Sequence, residues 1–174
     1  MLSRYPRTEE PVSGKLDWDI DGQLRGNWFL QGTDYSGDQS DPSEYWKTQI
    51  SFSPDLYDNS YFIISLGNFG PRDNSTQSAQ QFYAMGNTPD PAEVSPDSGL
   101  IKYELTDAEY ITSRGKVWDR QSFERDLTVR IQNNSVGTLL IQMIDGRTLK
   151  YELFKGETSS QVSGFSDNFK IYTR

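Results

Sequence analysis

The sequence predicts an all-β domain, on the strength of three features. Aromatic residues make up 13% of the 174-residue chain although only 34% is apolar, a balance that suits rings packed between pleated surfaces. Clusters of Gly, Pro, Asn, Asp and Ser punctuate the chain, with short alternating runs between them. A sustained helical period is absent. The expected architecture is a single antiparallel β-barrel of about 8–10 strands, because strands in such number need their open edges removed. A β-sandwich is the alternative that meets the same need.

The elements follow in order. Residues 1–15, "MLSRYPRTEEPVSGK", read as a polar linker, and 16–174 as the barrel domain. Strands are expected near 23–31, 45–53, 60–67, 80–86, 99–105, 109–118, 125–132, 137–144, 147–153 and 168–173. Segments 33–43 and 68–79, rich in Gly, Asp, Ser and Asn, read as exposed loops. So does "GNTPDPAEVSPDSG", where Pro89, Pro91 and Pro96 forbid a central strand.

The strongest pattern runs from Asp126 to Phe154 and reads as a three-stranded meander. Leu127, Val129 and Ile131 share one face, as do Leu139, Ile141 and Met143, and then Leu149, Tyr151 and Leu153. A two-residue Asp145-Gly146 hairpin would mix the faces of the second and third strands. A loop of Ile144, Asp145 and Gly146, with Gly146 left-handed, restores them and sets Ile141 opposite Leu149 and Leu139 opposite Tyr151. Thr158, Gln161 and Gly164 then predict a short helix near 158–164, capped at both ends.

On the first strand, "GNWF" (Gly26 to Phe29) resembles the G-x-W signature that opens lipocalins and related calycin barrels. The meander, the short helix and a last strand ending in Arg174 resemble that family too. The resemblance implies a ligand-binding barrel in which Arg174 lies across Trp28 at the closed end. An ordinary core Trp beside a Gly that permits close packing is the other reading of Gly26 and Trp28. The segments also resemble uncharacterised C-terminal domains of secreted bacterial proteins, which implies a secreted or periplasmic location within a longer precursor.

Composition limits the chemistry. The chain has neither Cys nor His, which removes disulfides, thiolate zinc sites, Cys nucleophiles and His-based acid–base schemes. A formal charge of −8 argues against a nucleic-acid partner. No apolar run is long enough to span a membrane as a helix. No cofactor is implied. The segment "DWDIDGQLRGNW" places Asp17, Asp19 and Asp21 at calcium-loop spacing, but its twelfth residue is Trp28 where a bidentate Glu is needed. The reading preferred here is a solvated acidic turn.

Arg114, Lys116, Arg120, Arg125 and Arg130 gather in one segment, as steering charges or as partners for nearby acids. Glu104 and Glu152 are expected on outward polar faces. Asn74 and Asn133 head glycosylation sequons. Tyr61, Tyr83, Tyr103, Trp118 and Tyr151 are the aromatics nominated to line a cavity; the same rings would equally fill a solid core. The expected function is a barrel, or an accessory domain, that binds a small, partly apolar molecule. The alternatives are a cofactor-independent lyase, isomerase or cyclase using Asp, Glu or Tyr, and a structural or protein-binding module with a filled core. The ligand and the oligomeric state are not legible.

Overall fold

A computed structural model describes residues 19–33, 47–72 and 79–174. Ten strands form in chain order: β1 (Gly26–Leu30), β2 (Gln49–Pro54), β3 (Phe62–Leu66), β4 (Gln80–Ala84), β5 (Ile101–Thr106), β6 (Ala108–Ile111), β7 (Thr128–Ile131), β8 (Gly137–Met143), β9 (Thr148–Lys155) and β10 (Lys170–Thr173). Eight of them close into an antiparallel barrel in the order β1-β2-β3-β4-β5-β8-β9-β10, with β10 returning to β1. The sandwich alternative is thereby excluded. β6 and β7 form a separate two-stranded sheet, an annex inserted between β5 and β8.

Each barrel strand alternates with a period of two, so one set of side chains fills the lumen. Trp28, Ile50, Phe52, Ile64, Leu66, Phe82, Tyr103, Leu139, Ile141 and Leu149 are all buried there in one cluster. The intervening residues of β1–β4 include Asn27, Ser51, Ser65 and Gln81, which stand on the outer surface.

The lower end is sealed. Arg174, only 7% exposed, lies over the Trp28 ring with its guanidinium carbon 3.9 Å from the ring centroid. Its Nη1 donates to the Arg25 carbonyl at 2.7 Å and its Nη2 to that of Gln23. The indole Nε1 donates to Leu24 O at 2.8 Å, so the ring is fixed at its polar end as well. Below it, the proline-rich loop is stitched to the chain entering β1: Leu24 N–H donates to Val94 O and Arg25 N–H to Pro91 O. Gly26 makes room for this arrangement. Its φ is +120°, and a Cβ there would collide with Asp19 Oδ1 and stand 2.7 Å from Arg174 Nη1.

Four expectations are corrected. β7 does not join β8; it pairs with β6, while β8 takes β5 and β9 as its neighbours. A barrel strand has two edges only, and five pairs with β5 plus seven with β9 occupy both. The alternation of Leu127 and Val129 is satisfied elsewhere, since both are buried but outside the lumen cluster.

The β8–β9 faces are as expected, but the register is shifted by two residues: Ile141 faces Tyr151 and Met143 faces Leu149. Gly146 does not adopt a positive φ. The turn is made instead by Asp145, whose side chain accepts Arg147 N–H at 2.7 Å, while Ile144 N–H reaches Thr148 O at 2.8 Å. Gly146 matters for a different reason: its carbonyl accepts Gly22 N–H, and a Cβ would stand 3.2 Å from Gly22 N.

The helix near 158–164 is a single turn. Thr158 N–H does bond Gln161 Oε1 and Gln161 N–H bonds Thr158 O, but the hydrogen-bonded turn ends there. Ser159 is drawn to Glu104 and the Val162 carbonyl to Lys102, and one turn without propagation is a costly nucleus. Lastly, the strand expected over 109–118 stops at Ile111, where Thr112 to Lys116 fold into a tight turn around Gly115. The linker 1–15, Asp17 and the Asn74 sequon lie outside the described residues.

Replacing Arg174 with Ala strips Trp28 of its cation and leaves the half-buried carbonyls of Gln23 and Arg25 without this donor. The expected loss is roughly 3 kcal/mol in urea unfolding, from a desolvated cation–π contact and charged hydrogen bonds. Gly26→Ala is expected to cost about 2 kcal/mol or more through strain and collision, with β-sheet circular dichroism retained.

Candidate ligand site at the barrel mouth

The lumen divides into a filled floor and an upper mouth. In the lower half, Tyr103 packs against Phe52 and Phe62 with centroids at 6.2 and 5.6 Å, and its hydroxyl donates to Pro89 O at 2.8 Å. At the mouth, Phe69 folds in against Phe82, with centroids 4.6 Å apart. Arg72 sits over the Phe82 ring at 5.3 Å and makes a bidentate pair with Asp107, both oxygens at 2.7 Å. Lys155 lies over Phe69 at 4.9 Å. That hydrogen-bonded pair holds the Asp107 carboxyl below the ordinary carboxylate range.

The opposite side of the mouth is open. β10 begins at Lys170, opposite Tyr151, so the upper part of β9 has no β10 partner. A recess of about 630 Å3 lies there, lined by Ile50, Tyr151, Leu153 and Tyr172 and rimmed by Asn68, Lys155, Glu157 and Lys170. Tyr151 and Tyr172 are 7% and 3% exposed, with centroids 5.0 Å apart. Neither hydroxyl has a hydrogen-bond partner among the described residues. Burial pushes both phenols up, that of Tyr172 to about 12. The segment between β9 and β10 is strapped down by two outward carboxylates. Glu104 accepts Ser159 N–H and Oγ–H at 3.0 and 2.7 Å, and Glu152 accepts the same groups of Ser166.

Of the five aromatics nominated for a cavity, only Tyr103 and Tyr151 reach the lumen. Tyr61, Tyr83 and Trp118 do not. Phe62, Phe82 and Ala84 face inward, and their neighbours Tyr61 and Tyr83 therefore face outward. Trp118 belongs to the annex, edge-on to Tyr57 and Tyr110 at 5.3 and 6.1 Å. Tyr172, Ile50 and Leu153 line the recess without having been nominated. Alternation of Lys170, Ile171, Tyr172 and Thr173 allowed either phase, and the register against β9 settles it.

The outward Tyr83 belongs to a second polar cluster. Asp55, 3% exposed, accepts both the Tyr83 and the Tyr110 hydroxyl on Oδ2 at 2.6 Å, and the N–H groups of Tyr57 and Asp58 on Oδ1 at 2.7 and 3.0 Å. Asp58 in turn accepts Val129 N–H at 2.9 Å. Asp55 thus takes four donors, and the cluster joins the annex to the barrel wall. It is a latch, with no lumen access. Burial first, then the bond to Asp55, pushes the Tyr83 phenol far up, and the same two causes raise Tyr110.

The remaining candidates are placed as follows. Asp19 accepts Asn27 N–H at 2.5 Å, and Asp21 pairs with Arg147 through both oxygens at 2.9 Å. Among the described residues, no three Asp or Glu side chains converge on a point where a metal ion would sit. Arg114 pairs with Glu124, and Arg130 with Glu109 across β6–β7, as partners for nearby acids. No family model matches the chain, and no curated protein and no solved structure is detectably similar to it.

The buried phenols fix an alkaline response. A raised folded-state pKa favours the neutral phenol, so this stability is fully present below the unfolded value of 10 and is lost as pH rises through it toward about 12 and beyond. Phenolate absorbance of Tyr83, Tyr103, Tyr110, Tyr151 and Tyr172 should appear together with cooperative loss of near-ultraviolet circular dichroism. Asp55→Ala, which removes the acceptor of two amides and leaves the Tyr83 and Tyr110 hydroxyls only each other at 3.0 Å, is expected to lower stability by roughly 3 kcal/mol.

Proposed function

We propose that the protein binds a small, partly apolar molecule in the recess at the barrel mouth. The observation that carries the reading is the pair of buried tyrosines facing that recess with unpaired hydroxyls. The hydroxyls border the recess as uncommitted donors, and a ligand that accepts from one or both phenols supplies a partner that the chain does not. Ile50 and Leu153 offer apolar walls to the body of such a molecule. Lys155 and Lys170 stand at the rim, where an acidic or carbonyl end would lie. Eight strands in meander order, with Arg174 across Trp28, support a calycin-like reading of the whole and agree with an upper ligand mouth above a sealed floor.

A binding role fits the acids better than catalysis does. The buried Asp55 is outside the lumen and saturated by four donors. Glu152, which borders the recess, is committed to Ser166.

The test is a thermal-shift screen of small apolar and amphipathic acids and phenols. A ligand at about 100 times its Kd adds about 2.7 kcal/mol, which for a chain of this size raises the melting temperature by roughly 5–10 °C. Leu153→Trp should fill the recess and abolish the shift. Tyr172→Phe should weaken it about tenfold, the value of one good hydrogen bond. A screen in which no compound raises the melting temperature overturns the reading.

A further inference from the structure

The outer wall of β1–β4 carries a second recess, of about 690 Å3. Its shape follows from register. Asn27 is opposite Ser51, Ser51 opposite Ser65 and Ser65 opposite Gln81, so four polar side chains cross four strands in one line. The two in the middle are serines, and Gly67 lies beside them. Short residues at the centre and amides at the ends make a trough of what would otherwise be a convex barrel wall.

Several polar groups of this trough are uncommitted. Asn27 Nδ2 donates to Asp19 at 3.3 Å, and its Oδ1 has no hydrogen-bond partner among the described residues. Gln49, which also lines the trough, has a buried Nε2 with no hydrogen-bond partner. Such an amide is an exception that calls for an explanation, and a bound ligand is one. Arg120 reaches over from the annex. Its backbone is left-handed at φ +60°, a conformation uncommon outside Gly. Its guanidinium rests on the Tyr110 ring at 5.7 Å, borders the trough, and has no ion-pair partner among the described residues.

Serine hydroxyls, amides that both donate and accept, and a single guanidinium are the complement of a molecule dense in hydroxyl groups. A polyanion is disfavoured by a chain of net charge −8 with one cation at the site. An apolar ligand would leave the amides and hydroxyls unpaired. We propose that this trough is a saccharide-binding site, separate from the mouth recess. Donors and acceptors from Asn27, Gln49, Ser51 and Ser65 meet the ring hydroxyls, and Arg120 adds two parallel N–H groups for a vicinal diol or a uronate carboxylate.

The experiment is a glycan array of neutral and uronate-containing oligosaccharides, followed by calorimetry with the best-retained glycan. Wild type, Ser65→Phe, Arg120→Ala and Leu153→Trp are compared, each checked for an unchanged melting temperature. A ring at Ser65 fills the trough and should weaken binding by roughly tenfold or more, whereas Leu153→Trp at the mouth should leave it unchanged. In Arg120→Ala, equal weakening for neutral and acidic glycans assigns the guanidinium to a diol, and selective loss of uronate binding assigns it to a carboxylate. Either supports the site. Retention of no glycan, or binding that survives Ser65→Phe, overturns it. So does binding that is lost in Leu153→Trp, because the sugar would then occupy the mouth.

Discussion

The closure of β1 against β10 is the constraint on which the rest of the molecule depends. It is a short seam, Phe29 opposite Thr173 and Leu30 opposite Tyr172, extended by Gln31 N–H to Ile171 O. Without it, eight strands would present two long unpaired edges, and the lumen cluster would be an exposed apolar sheet. A seam of so few ladder bonds needs reinforcement, and Arg174 supplies it. Immediately after β10, it crosses to the chain just before β1, bonding two of its carbonyls and covering Trp28. The contact joins the two ends of the barrel meander, more than a hundred residues apart in the chain, at the one place where the barrel is completed.

The floor is closed but the mouth is uneven. β9 runs eight residues and β10 only four, and the chain entering β10 is held on the Glu152 carboxylate through Ser166 before the ladder begins at Lys170. The ladder therefore stops at Tyr151, and the wall above it is missing. On the far side the mouth is capped by Phe69 on Phe82 under Arg72 and Lys155. The recess is thus a consequence of unequal strand lengths. The two tyrosines beside it, free at their hydroxyls, are the last rings of a core that is otherwise packed.

Much of the fold was legible because a barrel strand announces its inward face every second residue. The alternation in β8 and β9 gave the right faces, and Gly26, Trp28 and Arg174 could be tied together through a resemblance. What was not legible is whatever depends on counting. The three-residue β8–β9 turn could sit one position further along the chain, a register shift of two, without any change in pattern, and a side-chain turn at Asp145 replaced the expected left-handed Gly146. Likewise Leu127 and Val129 signal one buried face, but not which surface buries them. That ambiguity sent the annex into the barrel on paper and three aromatics into a lumen they never enter. Tyr83 shows the physical reason. An aromatic next to an inward Phe82 is outward by parity, yet it is buried all the same, because the annex covers it.

The annex gives the outer wall its character. Below the line of Asn27, Ser51, Ser65 and Gln81, the wall at Tyr83 is latched to Tyr110 through a carboxylate shared by both phenols. Tyr110 then serves as the platform on which Arg120 rests, and Arg120 overhangs the polar trough. The chain of dependence runs from one buried acid, through two phenols, to one exposed guanidinium held in a left-handed backbone. A latch built only to bury the annex would not need that last step. Arg114 and Arg130, on the same annex, are matched with Glu124 and Glu109. Arg120 differs from both of them in conformation, in partner and in the recess it borders. In an acidic chain with many carboxylates available, a cation held away from them is poised to meet something from outside.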